Sequence, residues 1–89
     1  MKIQISKRFV KDTERISDPR ILAKIRDALE AAKPAETVIE IPCIDAITGH
    51  PGFYRIKFDD RYRIGVYFDQ DTLQFLRVGA RGDFYKKFP

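Results

Sequence analysis

The stretch that decides the fold is "FYRIKFDDRYRIGVYF", Phe53 to Phe68, in which apolar and charged residues alternate on both sides of an acidic turn. Successive side chains of a strand point to opposite faces, so this alternation predicts two half-buried strands. If Asp59–Arg61 form a three-residue loop, Lys57 lies opposite Arg63 and both faces stay consistent. A two-residue Asp-Asp turn would pair Lys57 with Tyr62 and mix the faces, so the longer loop is predicted.

The next strand is predicted in "LQFLRVGAR", Leu73 to Arg81, with Leu76 and Val78 on the apolar face. The opposite face, called the second face below, is predicted to carry cations and aromatic residues: Arg55, Lys57, Arg63, Arg77, Arg81, Phe75 and Tyr67. The acidic residues of this region fall in turns, so these cations would repel one another. Such a face is either the solvated back of a two-layer protein or a surface for a polyanion. Aromatic residues among the cations favour the second interpretation, because bases stack on them.

The N-terminal part predicts a strand followed by two helices. "KIQIS", residues 2–6, alternates as a short strand does, and Ser6 is a candidate N-cap for the helix in "KRFVKDTERI". In "SDPR", Ser17 or Asp18 can cap a second helix, and Pro19 suits its first position. The helix itself is predicted in "ILAKIRDALEAAK", where apolar residues recur on one side and Pro34 ends the pattern. The two helices would form a helical hairpin.

Between this hairpin and Phe53, "TVIEIP" is a strand candidate, and "CIDAITGHPG" is predicted as a loop or an irregular strand ending in a turn. The predicted class is therefore α+β, with an N-terminal strand, a helical hairpin and a mainly antiparallel sheet of about four strands. The length of 89 residues predicts a single domain spanning residues 1–89.

Composition narrows the possible functions. The formal net charge of +4 fits a polyanionic partner, without being specific for one. One cysteine cannot form an internal disulfide, and Cys43 with His50 falls short of the ligands that a structural zinc needs. Cys43 is expected to be a small buried apolar residue. The N-terminus has no apolar stretch long enough for a signal peptide or a membrane span, so the cytoplasm is the expected location.

The element order, together with "YRIKF", "YRIGVY" and "VGAR" followed closely by a tyrosine, resembles the RelE/ParE family of type II toxin–antitoxin toxins. The resemblance covers nearly the whole chain. It implies a small basic α+β toxin that a cognate antitoxin silences, in a possible hetero-oligomer. In the RelE branch the implied target is mRNA in the ribosomal A site, which the toxin cleaves. In the ParE branch it is DNA gyrase, which the toxin poisons without nuclease activity.

The family's functional residues can be carried over only where the motifs match. The cations of the first strand fall at Arg55 and Lys57, and the next strand's arginine falls at Arg63, although Arg61 stands where the family has glycine. The "VGxR" arginine falls at Arg81, and the C-terminal tyrosine falls at Tyr85 with a shorter spacing. The resemblance thus implies five catalytic residues: Arg55, Lys57, Arg63, Arg81 and Tyr85. Four further cations are predicted to bind RNA: Arg61, Arg77, Lys86 and Lys87. No metal or organic cofactor is implied.

The residues themselves admit such chemistry without a histidine. RNA cleavage by internal transfer needs a base for the 2′-OH, stabilisation of the phosphate and an acid for the leaving oxygen. His50 lies in a Gly/Pro-rich loop and is more typical of a surface residue. Nearby cations favour the ionised form of a phenol, so Tyr85 could act as base. Arg63 and Arg81 would brace the phosphate, and Lys57 would assist the leaving group.

Simpler roles stay open at this point. Tyr85 could equally pack the C-terminal tail with its hydroxyl in water, and Arg77 could be merely solvated. Phe84 and Phe88 are either core-closing residues or an apolar patch for an antitoxin. The leading hypothesis is a ribosome-dependent mRNA endonuclease toxin that inhibits translation. The alternatives are a ParE-like gyrase inhibitor and an inactive RNA-binding member of the family.

Overall fold

The computed structural model describes the whole chain, Met1–Pro89, as a five-stranded sheet with the order β1-β5-β4-β3-β2. β1 runs parallel to β5, and the other neighbours are antiparallel. The elements, in chain order, are β1 (Lys2–Ile5), α1 (Lys7–Glu14), α2 (Pro19–Ala32), a 3₁₀ turn (Val38–Glu40), β2 (Ile44–Ala46), β3 (Phe53–Phe58), β4 (Tyr62–Asp69), β5 (Thr72–Ala80) and α3 (Arg81–Lys87). This arrangement confirms the predicted α+β class and adds a C-terminal helix to it.

The β3–β4 hairpin has the predicted register. Lys57 lies opposite Arg63, and Ile56 lies opposite Ile64, so the charged and apolar sets stay on separate faces. In the loop, Asp59 and Asp60 adopt φ angles of 48° and 57°. Aspartate tolerates this left-handed conformation better than most residues, which explains the acidic pair at the turn.

Both helices begin at predicted caps. The Ser6 hydroxyl accepts a hydrogen bond from the Phe9 N–H at 3.0 Å, and the Asp18 carboxylate accepts one from the Arg20 N–H at 2.9 Å. Pro19 occupies the start of α2, where a missing N–H costs nothing. The apolar sides of both helices join the core face of the sheet in one cluster: Phe9, Ile21, Ile25, Ala32, Ala35, Ile41, Ile56, Ile64, Val66, Leu73, Phe75 and Val78.

The prediction of a strand in "TVIEIP" is wrong. Residues 38–40 form a 3₁₀ turn, and the Glu40 carboxylate accepts hydrogen bonds from the N–H and the hydroxyl of Thr37, at 2.9 and 3.0 Å. The strand lies farther along, at Ile44–Ala46, within "CIDAITGHPG", the segment for which the sequence predicts a loop or an irregular strand. Local hydrogen bonding by Thr37 therefore outweighs the β propensity of the apolar residues after it.

The predicted position of Phe75 on the second face is also wrong. Gly65 pairs with Arg77, whereas Val66 pairs with Phe75, so Leu76 is the extra residue of a β-bulge. One extra residue reverses the alternation for everything before it in the strand. Phe75 is therefore fully buried in the core, edge-on to Phe9 at 5.7 Å. Leu76, predicted for the apolar face, instead lines a cleft of the second face with Phe53 and Phe88.

The C-terminal residues fold back over the second face as α3. The strand predicted to reach Arg81 ends at Ala80. Phe84 and Phe88 are buried, so they close a small apolar layer on this face. Their approach depends on glycine, because a Cβ on Gly65 would lie 2.7 Å from the ring of Phe88. Part of the second face is thus covered by α3.

β5 extends past the end of β1, and side chains occupy its free edge there. The Ser6 hydroxyl donates to the carbonyl of Leu76 at 2.9 Å, and the ammonium of Lys87 donates to the carbonyl of Val78 at 3.2 Å. The N–H of Val78 donates to the carboxylate of Asp12 at 3.0 Å. Each main-chain group named here therefore has a partner from outside the sheet.

None of the three helices has the length and apolar composition that crossing a membrane requires.

Candidate functional site

The site lies on the second face, at the part of β3 and β4 that α3 covers. Lys57 and Arg63 form one cross-strand row with Gly79 of β5. Arg55 and Gly65 form the next row. The glycines leave room for α3, and the cations of β3 and β4 lie beside it.

α3 brings Tyr85 to Arg55. The guanidinium carbon of Arg55 lies 5.8 Å from the centre of the Tyr85 ring, which is cation–π distance. Tyr85 is 45% exposed, so its ring can also meet a ligand from solvent. Arg81 is four residues earlier on α3, and residues at this spacing share one side of a helix. The predicted pair of Arg81 and Tyr85 is therefore presented on one side of α3.

Arg63 is buried, with 7% of its surface exposed. Its Nη1 donates hydrogen bonds to the carbonyl oxygens of Asp60 and Tyr62, at 3.1 and 3.0 Å. These bonds hold the end of the β3–β4 loop. The structure therefore places Arg63 beneath the surface of the site, and its bracing of the phosphate stays a prediction.

Two buried nitrogen atoms mark this floor. The Nε atoms of Arg55 and Arg63 are both buried and have no hydrogen-bond partner. Neither arginine forms an ion pair with a carboxylate. Arg63 is buried without a counter-charge, which costs free energy, so this positive charge favours the approach of an anion.

The remaining predicted residues form an exposed rim. The ammonium of Lys57 lies 3.3 Å from the carboxylate of Asp45, in an exposed pair that is worth about 0–1 kcal/mol and can open readily. Arg61 and Arg81 are exposed where the β3–β4 loop meets α3, and the Arg81 N–H donates to the Arg61 carbonyl at 2.7 Å. Lys86 is also exposed.

Arg77 and Lys87 do not join that rim, and their binding of RNA stays a prediction. Asp12 of α1 binds both: Arg77 Nε and Nη2 donate to its carboxylate at 2.9 and 3.0 Å, and Lys87 Nζ lies at 3.3 Å. Burial alone would raise the pKa of Asp12, but the hydrogen bonds from Arg77, the Val78 N–H and Lys87 outweigh it and lower that pKa. The same contact raises the pKa of Arg77.

Sequence reasoning missed Asp12 because it sought acidic partners only within the strands. A signal was present, since Asp12 is three residues after Phe9 and therefore falls on the apolar side of α1. An aspartate at such a position is expected to have a buried partner.

Two other residues lie away from the site. His50 is exposed in the turn before β3, with its ring edge-on to Phe53 at 6.4 Å. Cys43 was expected to be buried, but it is exposed. It has a φ of 62° where the chain turns from Pro42 into β2, which directs it away from the core.

The known proteins with similar sequences and folds include toxins and toxin-antitoxin complexes. The chain is 32% identical to Toxin RelE3 of Methanocaldococcus jannaschii over 90 residues, covering 100% of both chains. Its fold resembles a chain of the RelB-RelE antitoxin-toxin complex from Methanococcus jannaschii, with a TM-score of 0.81, 30% identity and coverage of 97% of this chain and 99% of that chain. No family model matches the chain.

A more distant likeness is to the Escherichia coli DinJ-YafQ complex, with a TM-score of 0.65, 16% identity and coverage of 94% of this chain and 97% of that chain. At this identity the likeness shows the fold alone. The fold and the cationic face together describe a small basic α+β protein with the same fold as these toxin chains. The full-length similarity makes the assignment specific: the chain belongs to the RelE family of type II toxin–antitoxin toxins.

Proposed function

We propose that this protein is a translation-inhibiting toxin that cleaves mRNA on the ribosome. The observation that carries the proposal is the contact of Tyr85 with Arg55 on the second face, where the Nε atoms of Arg55 and Arg63 are buried without a hydrogen-bond partner. Membership of the RelE family supports it. Cleavage without a metal needs positive charge at the phosphate and a group that moves a proton, and this site offers both.

The proposed reaction is an internal phosphoryl transfer. The 2′-oxygen of one nucleotide attacks its own 3′-phosphate, and the bond from phosphorus to the next 5′-oxygen breaks. The 2′-OH loses its proton to the phenolate oxygen of Tyr85, the leaving 5′-oxygen receives one from Lys57, and the products are a 2′,3′-cyclic phosphate and a free 5′-OH. Arg81, exposed on the same helix, would hold the phosphate by bidentate hydrogen bonds.

Two further cations complete the proposal. Lys57, exposed beside Arg63, would donate a proton to the leaving 5′-oxygen once its weak pairing with Asp45 opens. Arg63 would act as a fixed positive charge beneath the phosphate, because its carbonyl contacts already hold it in place. A charge held in a dry site stabilises a transition state without having to reorganise.

The proposed partners follow from the same site. A translating ribosome would present single-stranded mRNA to it, so the activity would operate in the cytoplasm. A cognate antitoxin with an acidic or amphipathic segment would cover the cations during storage, in a hetero-oligomeric complex. One toxin domain spanning residues 1–89 would carry all of these functions.

The decisive experiment is primer extension on an mRNA that is translated in a purified system, with and without ribosomes. Wild-type protein is compared with Arg81→Ala and with Arg20→Ala, a control that removes an exposed arginine from the start of α2. Cuts are expected only with ribosomes, and only Arg81→Ala should lose them. If Arg81→Ala still cleaves the mRNA, Arg81 is not part of the catalytic site.

The absence of cuts under all conditions would overturn the nuclease proposal. Supercoiling by purified gyrase is then the next assay, because inhibition there would indicate a ParE-like activity. Harmless expression without any antitoxin, together with no effect on gyrase, would indicate an inactive member of the family.

A further inference from the structure

A second group of cations lies outside the candidate site, along one side of α1. Arg8, Lys11 and Arg15 are three and four residues apart, so they share one side of the helix, and all three are exposed. With Arg77 and Asp12 they line a surface cleft of about 220 Å³. We call this cleft, with its five lining residues, the α1 basic groove.

The charge of the groove is strongly unbalanced. Its only carboxylate, that of Asp12, is already bound by Arg77 and Lys87. Arg8, Lys11 and Arg15 form no ion pair. Like charges at this helical spacing destabilise a helix by roughly 0.2–0.5 kcal/mol a pair. The three cations therefore leave unpaired positive charge along α1 that a bound anion would neutralise.

The lining indicates which anion fits. No apolar side chain lines the groove, so a protein segment would find no apolar contact in which to anchor. Two of its three unpaired cations, Arg8 and Arg15, are arginines, whose planar fork binds phosphate by two parallel hydrogen bonds. From Arg8 to Arg15 the helix rises about 10 Å, long enough to meet several phosphates of one strand.

We propose that the α1 basic groove binds the phosphate backbone of RNA at a place separate from the candidate site. α1 packs against β5, whereas Arg55 and Lys57 lie on β3, two strands away in the sheet. Bound RNA would therefore touch the toxin at two places, the groove for affinity and the candidate site for cleavage. The choice of RNA as the polyanion rests on the proposed function.

The test uses a short fluorescent 2′-O-methyl oligouridylate, which lacks the attacking hydroxyl and so cannot be cut. Its affinity is measured by fluorescence anisotropy over a range of KCl concentrations. Arg8→Gln/Lys11→Gln/Arg15→Gln is compared with Arg20→Gln/Lys24→Gln/Arg26→Gln. The control removes the same amount of charge, again two arginines and one lysine, from exposed positions of α2. Thermal unfolding of both variants checks that they are folded.

The groove variant should lose roughly tenfold or more in affinity, and its slope of log affinity against log salt should fall by about 2. Each lost phosphate contact on a single strand accounts for roughly 0.7 of that slope. The α2 variant should keep the slope of the wild type. Equal losses in both variants would overturn the proposal, because net charge alone would then explain the binding.

Two further arms identify the ligand. Purified ribosomes replace the oligonucleotide in one arm, and a defect confined to ribosomes would support the groove with folded ribosomal RNA as the source of phosphate. The other arm uses a poly-glutamate peptide. If the groove variant binds this peptide more weakly than the wild type does, but binds RNA equally well, the proposal is wrong. Cleavage of mRNA is scored in a separate assay. If the wild type cleaves mRNA while the groove variant binds RNA and ribosomes as well as the wild type does, the proposal for the groove is wrong and the proposed nuclease activity is unaffected.

Discussion

Asp12 and Arg77 join α1 to β5 by two nearly equal hydrogen bonds, from Nε at 2.9 Å and from Nη2 at 3.0 Å. The same carboxylate also accepts the Val78 N–H and approaches Lys87. One buried side chain thus connects the helix layer on the core face, an edge of the sheet and the helix on the second face. The position of Tyr85 depends on this connection, because Lys87 belongs to the same helix.

Replacing Asp12 should cost much of the stability of the fold. Asp12→Ala leaves Arg77 and Lys87 without their counter-charge, and breaking a buried pair from one side costs about 3–5 kcal/mol. Urea unfolding followed by circular dichroism measures the loss. Asp27→Ala, which removes an exposed acid of α2, is the control and should stay within about 0.5 kcal/mol of wild type.

The same carboxylate should make stability depend on pH. Since the folded chain lowers the pKa of Asp12, its contribution is fully present above the unfolded pKa of about 3.9 and is lost as the pH falls through the lower folded value. The difference in unfolding free energy between wild type and Asp12→Asn should therefore be constant near neutral pH and shrink in acid below about pH 4. A difference that grows on acidification would show that the sign is wrong.

Two glycines should respond in opposite directions to the same substitution. Gly65→Ala places a methyl group against the ring of Phe88, and overpacking of this kind costs about 1–3 kcal/mol. Gly82→Ala places its methyl group in open space within α3, so it should stabilise by up to about 1 kcal/mol. Thermal unfolding of both variants gives the comparison. If both variants shift the unfolding temperature equally and in the same direction, the C-terminal segment does not pack against Gly65.

The proposed proton transfer predicts a specific loss in Tyr85→Phe. Ribosome-dependent cleavage should fall about 10²–10⁴-fold, the usual contribution of a general base, while binding to ribosomes stays near wild type. Single-turnover cleavage with toxin in excess separates the two. The matched control is Tyr54→Phe, a phenol on the other side of the sheet, beside Val38 and Ile44. If Tyr85→Phe cleaves at the wild-type rate, Tyr85 is not the base.

The predictions from sequence succeeded where a local rule determines the structure. The register of β3 and β4 follows from the alternation of residues and from the odd loop length, so Lys57 and Arg63 could be paired in advance. The caps at Ser6 and Asp18 follow from side-chain chemistry within three residues. These features need no knowledge of distant contacts.

The failures concern contacts between residues far apart in the chain. The bulge at Leu76 satisfies the packing of Phe75 against Phe9, which the pattern of β5 alone does not reveal. The fold of α3 depends on space left by Gly65. The catalytic roles of Arg55, Lys57, Arg63, Arg81 and Tyr85 stay predictions from motifs. The depth of Arg63 could not be predicted, because the sequence pattern does not predict α3, the helix that covers the strands.

The side chains along the free part of β5 have a consequence for behaviour in a crowded solution. A bare strand edge is a template on which another chain can build, and it invites aggregation. Between Leu76 and Val78 the positions that an incoming strand would use are already filled by Ser6, Asp12 and Lys87. Another chain therefore cannot add a strand along this stretch. The hydrogen bonds that hold α3 in place also prevent self-association at this edge.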